Sequence, residues 1–170
     1  MCCARISPAP MASFAICGLG ANDALAQVPT AAEISKARPL GTEELYRIYN
    51  SRSWIWDAGA GHFSVRKREF SAWTNESGSS SIGVGRWFLT DRGKLCFRAV
   101  WRSKDGSAPA LTCFAHREID GVIYQKREPK GEWYVFRSAP PRKGDESAKL
   151  RYGDYVVTNL RRFEASVGDR

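Results

Sequence analysis

Residues 94–117 read KLCFRAVWRSKDGSAPALTCFAHR, and this stretch decides the fold. Alternation of period two marks Lys94–Arg102 and Ala110–Arg117 as strands, and Ser103 to Pro109, with Asp105-Gly106 at its tip, carries the turn chemistry between them. If the two strands form a hairpin, Cys96 stands opposite Cys113 and the turn centre falls near Lys104-Asp105, inside the loop that composition alone selects. A disulfide between neighbouring strands is then within geometric reach. It would contribute on the order of 3 kcal/mol, a pair of buried free thiols being the alternative.

The same rhythm extends in both directions. Further strands are expected at Ser53–Asp57, Gly61–Val65, Glu69–Thr74, Ile82–Thr90, Val122–Arg127 and Glu132–Arg137, giving eight in all. Ala58-Gly59-Ala60, Asp91-Arg92-Gly93, Asp120-Gly121 and Glu128 to Gly131 supply the turns, and Asn75 to Ser81, rich in Gly, Ser and Glu, reads as a flexible loop. Short connections favour a meander, so the expected fold is mainly β: a small barrel or strongly curved antiparallel sheet, lipocalin-like in shape. Before it, Thr42 as N-cap, the acids Glu43 and Glu44, and Leu45, Ile48 and Tyr49 on one face predict a short helix that plugs or flanks the core. After it, Ala139 to Glu146 is a polar, proline-bearing linker. Val156, Leu160 and Phe163 then predict a C-terminal helix, with a final strand as the alternative.

Composition bounds the rest. The chain has 170 residues, 43% hydrophobic and 12% aromatic, enough for one domain with a real core. Met11 to Ala26 reads as an export segment ending in the small-x-small pattern Ala24-Leu25-Ala26, so 1–26 is expected to be removed as a signal peptide. Residues 27–41 follow as a flexible lead-in, 42–138 as the β domain and 139–170 as linker and helix. Cys2, Cys3 and Cys17 leave with the signal, and the remaining pair suits a periplasmic or secreted protein. No other apolar run approaches the ~20 residues of a membrane span. The net charge of +8 survives removal of the signal, because Arg5 and Asp23 cancel, and it points to an anionic partner: an envelope polymer, a lipid or an acidic protein. Nucleic acid is not expected outside the cell.

Candidate binding residues are of two kinds. Trp54, Trp56, Trp73, Trp87, Trp101 and Trp133 recur through the strands and can form a ligand-stacking surface or fill the core. Arg66, Lys67, Arg68, Lys126 and Arg127 are candidate anion contacts or a solvated basic surface. No catalytic residue, metal site or cofactor motif is expected. His62 and His116 have no nearby nucleophile spacing, and Asp57, Glu69, Glu118 and Asp120 show no pattern that selects a pair. The expected function is therefore an exported, non-catalytic binding protein of the cell envelope, the alternatives being a basic protein-interaction or inhibitor module and a polysaccharide-modifying enzyme.

Two likenesses add to this reading. Gly85-Arg86-Trp87 is similar to the Gly-x-Trp element of lipocalin-like barrels, although three strands precede it here where that family has it on the first. The ordered series Leu45-Tyr46, Ser53-Trp54-Ile55-Trp56, Gly59-Ala60-Gly61-His62-Phe63, Phe70-Ser71-Ala72-Trp73, Gly85-Arg86-Trp87, Leu95-Cys96-Phe97-Arg98, Cys113-Phe114, Ile123-Tyr124-Gln125 and Gly131-Glu132-Trp133-Tyr134 resembles the domain of unknown function 995 family of small exported bacterial proteins. The resemblance implies export and a paired cysteine, and it transfers no catalytic residue. It departs at Arg66-Lys67-Arg68, where the family has a glycine-containing turn.

Overall fold

The computed structural model describes residues 28–168 except Ser77. The expected export segment, 1–26, lies outside the described residues. In chain order the elements are α1 (Ala31–Lys36), β1 (Arg38–Pro39), α2 (Thr42–Tyr49), β2 (Arg52–Trp56), β3 (Gly59–Phe63), β4 (Glu69–Glu76), β5 (Ser79–Thr90), β6 (Lys94–Ser103), β7 (Gly106–Ile119), β8 (Val122–Arg127), β9 (Tyr134–Arg137), β10 (Leu150–Tyr152) and α3 (Val157–Gly168). The sheet runs β10-β2-β3-β4-β5-β6-β7-β8-β9, antiparallel throughout, with β1 added beside β7. It is the expected meander, strongly curled into a half-barrel.

The 94–117 hairpin sets the register for its neighbours. Cys96 faces Cys113, the turn centre is Lys104-Asp105, and the two sulfurs form a disulfide with the Cα atoms 4.1 Å apart. Side chains of alternate residues then point into the curl, where Phe63, Trp87 and Leu95 share one core with Leu45, Ile48 and Tyr49 of α2, and Phe70 and Phe97 pack on the far side of Phe63. The helix therefore enters the concave side as the plug that its apolar spacing predicts.

Several expectations change. Ten strands form, since two short ones lie outside the regular rhythm. Asn75–Ser81 is not a loop: Glu76 pairs with Ser79, Asn75 with Ser80 and Thr74 with Ser81. A hairpin arm standing in solvent needs no apolar residues, so its polar composition reports exposure and conceals pairing. Ser103–Pro109 shortens in the same way, because β7 begins at Gly106. The first hairpin turn falls at Asp57-Ala58, and Gly59 already belongs to β3.

The lead-in also carries structure. Thr30 and Glu33 form a reciprocal capping box for α1, while Ile34 and Leu40 are buried to 5% and 1% exposure. Two anchors in so short a segment leave no periodic signal. In α2 the N-cap is Gly41, one residue before the expected Thr42, and its N–H is bonded to the Glu44 carboxylate at 2.7 Å. Where the family likeness breaks, Lys67 and Arg68 take positive φ values of 52° and 53°, the left-handed conformation that glycine adopts most readily. Arg68 is held there by stacking over the rings of Trp87 and Tyr46 at 4.3 and 4.6 Å.

The 138–149 segment crosses from one sheet edge to the other, linking β9 to β10. Asp145 organises the crossing by accepting hydrogen bonds from Arg142 N–H at 2.8 Å and from the N–H and hydroxyl of Ser138 at 2.9 and 2.7 Å. These bonds, led by the one from Arg142, hold its carboxyl below the usual range. The tail is the helix α3, so the strand alternative is set aside.

Candidate functional site

The interior of the curl has two ends that differ in filling. At the plugged end, Trp87 is 1% exposed and donates its indole N–H to Ser64 C=O at 2.8 Å. Beside it is a buried polar cluster. The Tyr49 hydroxyl lies 2.8 Å from His116 Nε2, and Gln125 Nε2 donates to the Tyr49 oxygen at 2.8 Å and lies 2.7 Å from His116 Nε2. Tyr134 O–H donates to Gln125 Oε1. Burial holds His116 neutral, with its pKa lowered to about 3, and pushes the Tyr49 phenol up. The neutral imidazole, its Nε2 within hydrogen-bond distance of both the Tyr49 hydroxyl and the Gln125 amide, ties α2 to β7 and β8, the role of a core histidine.

At the other end the strands enclose a cavity of about 270 Å³. Its walls are Trp54 and Trp56 from β2, Phe63 from β3, Phe70 from β4, Phe97 and Trp101 from β6, and Thr112 and Phe114 from β7. Glu76, Arg127 and Glu146 complete the lining with charged groups. A larger hollow of about 570 Å³ at the hairpin tips shares Glu76 and Trp101 with it, which places these two at the mouth.

Local sequence explains the shape. Trp54 and Trp56 are two apart on one strand and so share a face, and Trp54 pairs in register with Gly61, Trp101 with Gly83. A Cβ on Gly83 would stand 2.9 Å from the Trp101 ring, and one on Gly61 would stand 3.1 Å from the Phe70 ring. Glycines on β3 and β5 thus give room for rings from neighbouring strands to lie over the backbone. The Trp54 indole N–H donates to Glu146 Oε1 at 2.8 Å, and Lys149 pairs with Glu146 Oε2 at 2.9 Å. Phe70 and Phe97 stack at 4.1 Å, and Phe114 meets Trp54 edge-on at 5.0 Å.

Of the six tryptophans, the structure therefore brings together Trp54, Trp56 and Trp101. Trp73 faces the opposite side of the sheet, beneath α3, where Asn159, Arg162 and Phe163 border the same hollow. Trp87 belongs to the core, and Trp133 is half-buried near α1, donating to the Ser35 hydroxyl at 2.9 Å. The basic candidates do not converge. Arg66 and Lys67 are exposed at the turn before β4, Arg68 is stacked, and Lys126 pairs with Glu128 at 3.4 Å near Trp133. Only Arg127 lines the cavity.

The carboxylates named from sequence stay apart as well. Asp57 and Asp120 lie in turns, Glu69 is exposed, and Glu118 accepts from Arg38 at 3.1 Å and from Gly121 N–H. Sequence reasoning missed Thr112 and Glu146. Thr112 continues the inward phase of β7, as Glu76 continues that of β4. Glu146 sits in a 3-10 turn of the crossing segment and left no signal. His62 is partly buried, 3.5 Å from Asp154, and burial lowers its pKa against the opposing pull of that carboxylate. Among the described residues no cluster of His, Cys, Asp and Glu is suited to a metal ion, and no helix is long and apolar enough to cross a membrane.

A curled antiparallel sheet, plugged by a helix at one end and hollow among aromatic rings at the other, defines a small β half-barrel protein with an internal cavity. The family model described as Protein of unknown function (DUF995) matches residues 16–156, and the chain belongs to that family. No curated protein and no solved structure matches the chain.

Proposed function

We propose that the chain is an exported binding protein of the cell envelope that holds a ring-faced ligand, one sugar unit of an envelope glycan, between Trp54, Trp56 and Trp101. The observation that carries this reading is the cavity itself: three indoles and four phenyl rings around about 270 Å³, with Glu76, Arg127 and Glu146 on its lining. Indole faces pack on the C–H face of a sugar while carboxylate and guanidinium groups take its hydroxyls. Small-molecule sites run from roughly 300 to 1,000 Å³, so this cavity admits about one ring and leaves the rest of a polymer outside. The disulfide supports the exported part of the reading, since such bonds persist in oxidising compartments.

Titration with envelope glycan fragments, read by intrinsic tryptophan fluorescence, tests the proposal. A saturable change is expected that Trp101→Ala abolishes and Trp133→Ala leaves intact. Silence across the fragments, or equal loss in both variants, would reject it.

A second reading, hydrolysis of a glycosidic bond, draws on one observation: Glu76 and Glu146 border the same cavity. Release of new reducing ends, abolished by Glu146→Gln, would replace binding by turnover.

A further inference from the structure

The convex side of the sheet carries a second surface. Along β5, β6 and β7 the outward residues form rows across the strands. Val84 pairs with Val100 and Val100 with Pro109; Arg86 pairs with Arg98 and Arg98 with Leu111; Phe88 pairs with Cys96. Val84, Phe88, Val100 and Leu111 are 41% to 54% exposed, and Arg86, Arg98 and Pro109 are exposed too.

The two arginines stand directly opposite each other on neighbouring strands, an arrangement that destabilises a sheet by like-charge repulsion. Among the described residues neither is in an ion pair, even though Glu69 is the register partner of Arg86 on its other side. Arg86 donates only to the Lys67 carbonyl at 3.0 Å, which draws the exposed Lys67 and Arg66 to the border of the patch. At the far border α3 lies against β4 and β5, with Glu164 reaching Arg102 at 3.5 Å.

We infer that this outer face of β5–β7 docks on an anionic lipid bilayer, Arg86 and Arg98 meeting headgroup phosphates while Val84, Phe88, Val100 and Leu111 reach the acyl boundary. An anionic surface relieves the opposed charges that the fold otherwise carries unpaired. The choice of a bilayer follows from curvature and texture. The core occupies the concave side, so this face is convex, and its apolar side chains and arginines lie in rows across three strands. A fluid lipid surface conforms to it, and alternating arginines and short apolar side chains match the phosphate and acyl layers of the interface. The surface is independent of the cavity, which opens on the other side of the sheet.

The test is cosedimentation of the full chain with vesicles of phosphatidylcholine alone and with about a third phosphatidylglycerol. Binding is expected only to the anionic vesicles and is expected to weaken with salt. Each basic residue near such a surface is worth about fivefold in partitioning, so Arg86→Gln/Arg98→Gln should lose at least tenfold. Val100→Ser/Leu111→Ser should release whatever binding resists salt. Arg98→Glu separates docking from folding, because it creates an opposite-charge pair with Arg86: melting temperature should rise while vesicle binding falls. Equal binding to both vesicle types, binding unchanged in the arginine variants, or binding to soluble polyglutamate with none to vesicles would overturn the inference, the last in favour of an acidic protein.

Discussion

The two ends of the half-barrel are built from the same strands and the same phase of side chains, yet one is solid and the other hollow. At the solid end α2 delivers Leu45, Ile48 and Tyr49 against Trp87, Leu95 and Phe136. At the hollow end no helix enters, and the walls are rings held apart by their own partners, Trp54 by Glu146 and Trp101 over Gly83. The difference teaches that a curled sheet of this size does not fill itself. Its aromatic residues become core or site according to whether something is inserted between them.

Substitutions at the two ends should behave differently, and the largest effect belongs to the solid one. Trp87→Ala should cost about 3–5 kcal/mol of unfolding free energy in urea titration, because a fully enclosed indole leaves a void its neighbours cannot close. Next, Cys96→Ser/Cys113→Ser should lower stability by about 3 kcal/mol, read equally as a drop in melting temperature of the native chain on reduction. That loss should spread over both ends, since the β6–β7 hairpin walls each of them.

A pH titration of stability isolates the polar cluster at the solid end. His116 has its pKa lowered to about 3 by burial, against the ordinary 6.5, so the unfolded chain takes up a proton that the folded chain refuses. Its contribution is intact above pH 6.5 and is lost as pH falls toward about 3, at a limiting slope of roughly 1.4 kcal/mol per pH unit. Asp145 and Glu118, lowered by their hydrogen bonds, withdraw their own contributions below the ordinary carboxylate range. Replacing the imidazole by Gln should flatten the curve between pH 4 and 6 by about one histidine's slope. A curve unaltered in His116→Gln would show that the cluster is open to water. The smallest effect on stability, about 1 kcal/mol or less, is expected for Trp101→Ala, whose ring already faces empty space on one side. A cost like that of Trp87→Ala would mean the cavity is core.

Much of this contrast was legible in the sequence. The strand phase, the Cys96–Cys113 register and the apolar face of α2 rest on local alternation and spacing, and all three appear in the fold. Which tryptophans gather was not legible. Trp73 and Trp101 sit on similar strands, and the pairing register, with Trp73 opposite Ile82 and Trp101 opposite Gly83, puts one on the outer face beneath α3 and the other on the inner face at the cavity. Glu146 was invisible because the 138–149 crossing has no period to read, and its position depends on both sheet edges at once. The hairpin arm through Asn75 and Ser80 was hidden by its composition, since polar residues serve a solvated ladder as readily as a loop.

The central claim is that the hollow end receives a ligand and the solid end does not. Indole N–H resonances of the six tryptophans, followed by nuclear magnetic resonance during titration with envelope glycan fragments, test it most directly. The account predicts that the signals of Trp54, Trp56 and Trp101 move together and saturate while that of Trp87 stays fixed. Signals that never move, or that move at Trp133 or Trp73 and leave the cavity indoles unchanged, would contradict it.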